Sequence, residues 1–249
     1  MQTLTQTSRE AVYNAPILPY YTETYTPISN KQIMDLIEER LRQTDLTIKG
    51  QDFRTTISKE GLIKGVIGKY YLSSTYDEYE QQLVFRNSYD KSMSFAFAVG
   101  GIVVICTNGM VSGDYAYKRV HKGVYDEGIS TTWYDIFDNV NDGFNHLEES
   151  FEKKVQQMEA LKKIEVGPKE TSDIVGDLFI NKDVLTVSQI SIVKRELKMS
   201  RHFKHLGDEG FSAFDIYQAI TESLKTSHPT RWLSDHSETH RLFEETFGV

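Results

Sequence analysis

Between Asp45 and Asn108 the chain is a succession of strand-length runs separated by turn residues. "DLTIKGQDFRTTI" (45–57) alternates and is rich in β-branched residues, Glu60-Gly61 supplies a turn, and "LIKGVIGKYYLSS" (62–74) repeats the pattern. The polar connection "TYDEYE" leads into a third run, "QQLVFRNS" (81–88). Period-two alternation over adjacent short runs predicts an antiparallel meander, with one face packed and the other more polar. "SMSFAFAV" and "IVVICTN" then flank Gly100-Gly101, and a Gly-Gly pair between β-rich runs predicts a hairpin. Ile102 to Cys106 is apolar on both faces and reads as a central strand.

Helices bracket this block. Met1 to about Tyr25 has no clean period and reads as an extended arm. In "TPISNKQIMDLIEERLRQ", Ser29 with Gln32 three residues on forms a capping box, and Ile33, Leu36, Ile37 and Leu41 make an apolar stripe. After the strands, "TTWYDIFDNVNDGFNHLEESFEKKVQQMEALKKI" (131–164) spaces Phe137, Val140, Phe144, Leu147, Phe151, Val155 and Met158 by threes and fours. This predicts a single amphipathic helix, capped at Ser130 or Thr131 and ended by Gly167-Pro168. At about 1.5 Å per residue such a helix is ~50 Å long, enough to brace a wide sheet or to contact a second copy of the chain. Further helices are expected near Ser172, Ser188 and Ser212, the last with an amphipathic "FSAFDIYQAITESLKT", followed by a polar tail helix in which His236 and His240 are expected to be solvated. The expected fold is therefore α+β. An arm (1–25) precedes a single domain (26–249), with a helix and meander sheet in 26–130 and helices in 131–249.

The 249 residues suffice to bury a core without covalent staples. The lone cysteine, Cys106, leaves no intramolecular disulfide and suits a reducing, cytoplasmic setting. No long apolar window predicts a membrane span, and the first residues lack the basic start and apolar core of a signal peptide. A net charge of −8 argues against a surface that tracks nucleic acid everywhere. It leaves room for a local basic groove, and basic residues do gather at Lys118, Arg119, His121 and Lys122 and again in "IVKRELKMSRHFKH" (192–205).

Three short segments carry a resemblance. Asn87, Ser88, Asp90 and Ser92 form an Asn-Ser-x-Asp-x-Ser segment, Cys106, Asn108 and Gly109 a Cys-x-Asn-Gly segment, and Arg119 and His121 an Arg-x-His pair. Together they resemble the signature of the phage/plasmid-like protein family filed as DUF932. "YTPISNKQIMDLIEERL" is similar to that family's N-terminal helix and "FDIYQAITESLKTSHP" to its C-terminal one, with Gln218 where Asn is common. The resemblance implies carriage on phages or plasmids and accessory roles in DNA metabolism or in evading host defence. It implies no reaction.

If the meander brings corresponding loop ends together, Arg86, Asn87, Ser88, Asp90, Ser92, Asn108, Lys118, Arg119, His121 and Lys122 form a candidate ligand or nucleic-acid site. Tyr70, Tyr71, Tyr89, Tyr115 and Tyr117 can stack bases, and Lys69 and Lys91 add cations. The same Asn-Ser-Tyr-Asp run is also a natural Asx turn whose side chains cap one another. Cys106 with His121, oriented by Asn108 or Asp90, is the alternative of a nucleophilic hydrolase, although a cysteine ending an apolar strand is more often a small buried hydrophobe. His202/His205 and His236/His240 have helical spacing but no carboxylate or thiol to complete a metal site, and no glycine loop precedes a helix, so neither metal nor cofactor is expected. The leading expectation is a non-enzymatic accessory protein that binds or anneals single-stranded DNA, oligomeric through 131–164. The alternative is a counter-defence protein that binds a host protein.

Overall fold

A computed structural model describes residues 4–18, 27–74, 76–103, 108–119, 125–126, 129–199, 210–228 and 230–249, with side chains described outside 101–133. In chain order the elements are β1 (Thr5–Gln6), α1 (Arg9–Tyr13), α2 (Asn30–Leu41), β2 (Ile48–Ile57), β3 (Ile63–Leu72), β4 (Tyr79–Ser88), β5 (Phe95–Val103) and β6 (Asn108–Arg119). Then come β7 (Tyr125–Asp126), β8 (Ile129–Ser130), α3 (Thr131–Asn145), α4 (Leu147–Leu161), β9 (Glu165–Val166) and α5 (Pro168–Ile180). The chain ends with α6 (Val187–Met199), β10 (Phe211–Ser212), α7 (Ala213–Leu224) and α8 (Trp232–Phe247). The fold is α+β, as the sequence predicts.

The main sheet has the order β1-β2-β3-β4-β5-β6, a meander that follows the chain. The pairs β1–β2, β2–β3 and β3–β4 are antiparallel. Period two works as expected: Phe53, Val66, Tyr70, Leu83, Phe85, Phe95 and Phe97 all join one buried cluster. Gly68 lies between Phe53 on β2 and Phe85 on β4 in the register. A Cβ there would stand 2.9 Å from Phe53 Cε1 and 2.7 Å from Phe85 Cζ, so the two rings occupy the space that a side chain would need.

Four expectations about elements are corrected. The first concerns Gly100-Gly101, which lie inside β5 and turn nothing. Apolar residues on both sides keep the strand going through a pair whose local preference is a turn. Asn108-Gly109 accordingly open β6. The second is the helix over 131–164, which is two helices broken at His146. His146 Nδ1 lies 3.0 Å from the Asp142 carbonyl oxygen, the group that the helical ladder would otherwise use there. The preceding run Asn139, Asn141, Gly143 and Asn145 is also weak in helix propensity. Gly143 persists because Phe97 Cε1 would be 2.7 Å from a Cβ at that site. A continuous helix is therefore not what 131–164 offers to a second copy.

The third correction concerns starts. Gly167-Pro168 begin α5, with Pro in the first turn, so Ser172 lies within the helix and its hydroxyl donates to the Pro168 carbonyl. Thr186, not Ser188, caps α6 through its bonds with Gln189. Ser29 and Ser212 do cap α2 and α7, each in a full capping box. The N-terminal arm, fourth, is not simply extended, since it contributes β1 to the sheet edge and the short α1, where Arg9 forks onto Glu38 at 2.6 and 2.8 Å.

The chain divides into two compact units. The first comprises Met1–Thr75, Glu80–Val99 and Tyr115–Glu148, the second Tyr76–Tyr79, Gly100–Asp114 and Glu149–Val249. The first unit's core is one sheet face with α2 (Ile33, Met34, Ile37) and α3 (Ile136, Val140). The second gathers α4, α5, α6 and α8 around α7. Helix α7 is buried almost all round, including Asp215, Gln218, Thr221 and Ser223, so it is a central helix and not the surface amphipath that its pattern suggests. Two of its hydroxyls bond back to the helix itself, Thr221 on the Gln218 carbonyl and Ser223 on the Ile220 carbonyl.

Candidate functional site

In the first unit, Arg86, Asn87 and Ser88 end β4, and Asp90 and Ser92 lie in the turn that leads to β5. Asn87 is 0% exposed. Its Nδ2 donates to the Ile28 carbonyl at 2.9 Å and to Asn30 Oδ1 at 2.8 Å, fastening the start of α2 to the sheet. Tyr89 adds a second tie, its hydroxyl accepting the Asn30 amide at 2.8 Å. Within the turn, the Ser88 hydroxyl donates to the Met93 carbonyl at 2.7 Å and accepts the Met93 amide at 3.0 Å. Arg86 bonds the Ser94 carbonyl and hydroxyl at 3.2 and 3.1 Å. Asp90 accepts the Ser92 amide at 3.1 Å and pairs with Lys64 at 2.6 Å. Burial alone would raise the Asp90 carboxyl, but the Lys64 and Ser92 hydrogen bonds outweigh it and hold it below its ordinary value.

The turn therefore brings Arg86, Asn87, Ser88, Asp90 and Ser92 together, and their described bonds build the turn and fasten it to α2 and β3. Lys91, at φ 64°, takes the left-handed conformation that closes it. Asn108, Lys118 and Arg119 lie on β6, with side chains outside those described. Cys106, His121 and Lys122, and with them the nucleophile reading, lie outside the described residues. So do His202 and His205. Of the tyrosines expected to stack bases, Tyr70 and Tyr89 are corrected to core residues. Both are buried, and the Tyr70 hydroxyl donates to Glu38 at 3.0 Å.

The second unit holds a feature that periodicity alone did not single out. Helices α5 and α6 enclose a groove of about 830 Å³, within the range of small-ligand sites. From α5 come Thr171, Ser172, Val175, Gly176 and Phe179, and from α6 come Ile190, Val193, Lys194, Leu197 and Lys198, each set one helical stripe. Phe211 of β10 completes the wall. A Cβ added at Gly176 would meet nothing within 4 Å, so the groove is open at that point. The two lysines stand four residues apart on the α6 rim. Elsewhere in this unit Lys154, Lys162, Lys169, Lys182 and Lys225 each have a carboxylate within 4.0 Å. Among the described residues no ion pair forms at Lys194 or Lys198. The basic run 192–205, quoted from the sequence, thus begins on a helix face that borders an apolar groove. The signal that could have found it is the pair of matching stripes 171–179 and 190–198.

A buried polar cluster lies elsewhere in the second unit. Lys154 on α4 is 0% exposed, and its Nζ donates to Gln157 Oε1 at 2.8 Å and lies 2.5 Å from His240 Nε2. The same His240 nitrogen lies 3.4 Å from Glu244 Oε1. Glu244 Oε1 stands 3.6 Å from Lys154 and accepts from Gln157 at 2.7 Å. His236 and His240 are each 2% exposed, which corrects the expectation that the tail histidines are solvated. Tyr217 of α7 packs edge-on against the His240 and Phe243 rings. Burial, with Glu244 adding to it, pushes its hydroxyl far above the ordinary tyrosine value. The cluster fastens α8 to α4. Among the described residues no group of three metal-ligating side chains occurs.

An α+β chain with a meander sheet, a self-capped signature turn and a helical second unit defines the class of protein. The family model described as a domain of unknown function, DUF932, matches residues 18–244, and the chain belongs to that family. No curated protein and no solved structure matches it. No helix among the described residues is long and apolar enough to cross a membrane.

Proposed function

We propose that this chain is a non-enzymatic accessory protein of phage or plasmid origin, working in the cytoplasm, that binds single-stranded DNA. The single observation that carries the reading is the pair Lys194 and Lys198. They lie on one face of α6, at the rim of an apolar groove, with no carboxylate on them among the described residues. Four residues at about 1.5 Å rise separate them by ~6 Å along the helix. This is close to the spacing of successive phosphates in an extended strand. A net charge of −8 does not oppose this reading, because binding follows the local distribution of cations more than their sum. The signature turn, on this reading, shapes the first unit. Annealing also calls for several copies on one strand, which sedimentation with and without oligo(dT) reports.

The test is fluorescence anisotropy with labelled oligo(dT) over a salt series. Replacing both lysines by alanine should lower the slope of log K against log salt by about 1.4, at ~0.7 per phosphate contact on a single strand. Arg119→Ala with Lys122→Ala, run alongside, reports on the β6 end. Absence of binding at low salt would sink the reading in favour of a host-protein partner. The exposed apolar residues that would serve such a partner on α5 and α6 are Phe179 and Ile180 at the end of α5, Val187 at the start of α6, and Met199, ~18 Å along α6 from Val187.

A further inference from the structure

We propose that the α5–α6 groove is a base-binding slot. Unstacked bases enter its apolar interior while the strand's phosphates follow Lys194 and Lys198. The inference rests on the reading above and adds what the site recognises. Phosphate contacts alone need only exposed cations, and they explain neither the depth nor the lining of this groove. Val175, Ile190, Val193 and Leu197 make its walls apolar, and Phe179 of α5 and Phe211 of β10 each bring an aromatic ring to the lining. Phe179 is 37% exposed, so one part of its surface is already open.

The opening at Gly176 gives a flat base a place to approach the helix backbone. Thr171 and Ser172 each donate a hydroxyl proton to the carbonyl four residues back. Their remaining lone pairs are acceptors, able to take an amino or imino hydrogen from a base edge. Two cations ~6 Å apart over an apolar slot fit a repeating anion with apolar side groups. A fatty acid brings one carboxylate for two lysines, and a duplex has its bases stacked and paired away from the slot. Stacking on a phenylalanine face tolerates any base, so the slot distinguishes single from double strands without reading sequence.

The full chain is titrated with a short oligo(dT), with an abasic strand of the same length, and with the matching duplex. Wild type should bind oligo(dT) at least about fivefold more tightly than the abasic strand, the lower bound for one stacked base. Phe179→Leu should erase most of that difference, and Phe179→Trp should keep it. Circular dichroism of each variant shows that the fold is retained, as expected at a side chain with one open face. Equal affinity for oligo(dT) and the abasic strand would overturn the slot while leaving the phosphate-binding reading intact. Binding of no strand would remove both. An apolar dye displaced from the groove by an acidic amphipathic peptide, but not by oligo(dT), would overturn the slot in favour of a protein ligand.

Discussion

Replacing Asn87 with alanine removes a side chain that is 0% exposed and that donates two hydrogen bonds, to the Ile28 carbonyl and to Asn30 Oδ1. Both acceptors are themselves shielded, Asn30 being 1% exposed and Ile28 3%. Each buried acceptor left without a donor costs about 1–3 kcal/mol, so the loss should total about 2–4 kcal/mol after some relaxation. Urea unfolding followed by circular dichroism measures it as a lower midpoint at unchanged slope. Asn30→Ala removes one of the same bonds from the other side. The double variant should therefore fall short of the sum, with a coupling of about 0.5–3 kcal/mol. A stability for Asn87→Ala within ~0.5 kcal/mol of wild type, the range of an inconsequential surface change, would refute the claim that this signature residue is a structural latch. If that variant kept its stability and lost oligo(dT) binding, the signature turn would instead be a ligand site.

Asp90 makes the first unit acid-sensitive. Its folded-state value lies below the ordinary one, so its contribution is complete above the unfolded carboxylate value and is lost as pH falls through the folded one. The stability gap between wild type and Asp90→Asn should hold through neutral pH and close below about pH 4, read from unfolding midpoints at each pH. A gap that does not change with pH would refute it. Lys154→Ala should cost about 3–5 kcal/mol in thermal melts, because it leaves Gln157 and Glu244 without their buried cation. Lys154→Met should cost less by retaining volume, and Lys169→Ala, at an ion pair 93% exposed on the lysine, should change almost nothing. Equal melts for Lys154→Ala and Lys169→Ala would show that the buried cluster does not fasten α8.

Most of the local structure was legible in residue order. The strands over 48–88 followed from alternation, α2 from Ser29 and its stripe, and α7 from Ser212. These signals are short-range: a period of two or 3.6, and a cap that bonds three residues away. The Asn-Ser-x-Asp-x-Ser segment was likewise legible as a turn, because Asp90 bonds Ser92 within the segment and Ser88 bonds Met93 just beyond it. The misses came where turn preference and apolar period did not decide the outcome. Gly100-Gly101 has the local preference of a turn, yet the chain continues through it as β5. The 131–164 stripe stays in phase across His146, and an apolar period does not report a side chain that takes the carbonyl of its own helix.

The candidate site divides in the same way. Lysines four apart on a helix can be counted from the sequence. That they border an open groove depends on α5 and α6 lining one cavity, with stripes that each look like ordinary core. His236 and His240 stand in a polar tail by composition and are buried by packing, His240 beside a lysine 86 positions away. By itself the sequence determined the α+β class, the meander, the two caps and the family. Only the tertiary structure decided which polar residues are latches and which cations remain without a carboxylate among the described residues, because burial and pairing are set by segments that meet only in the folded chain.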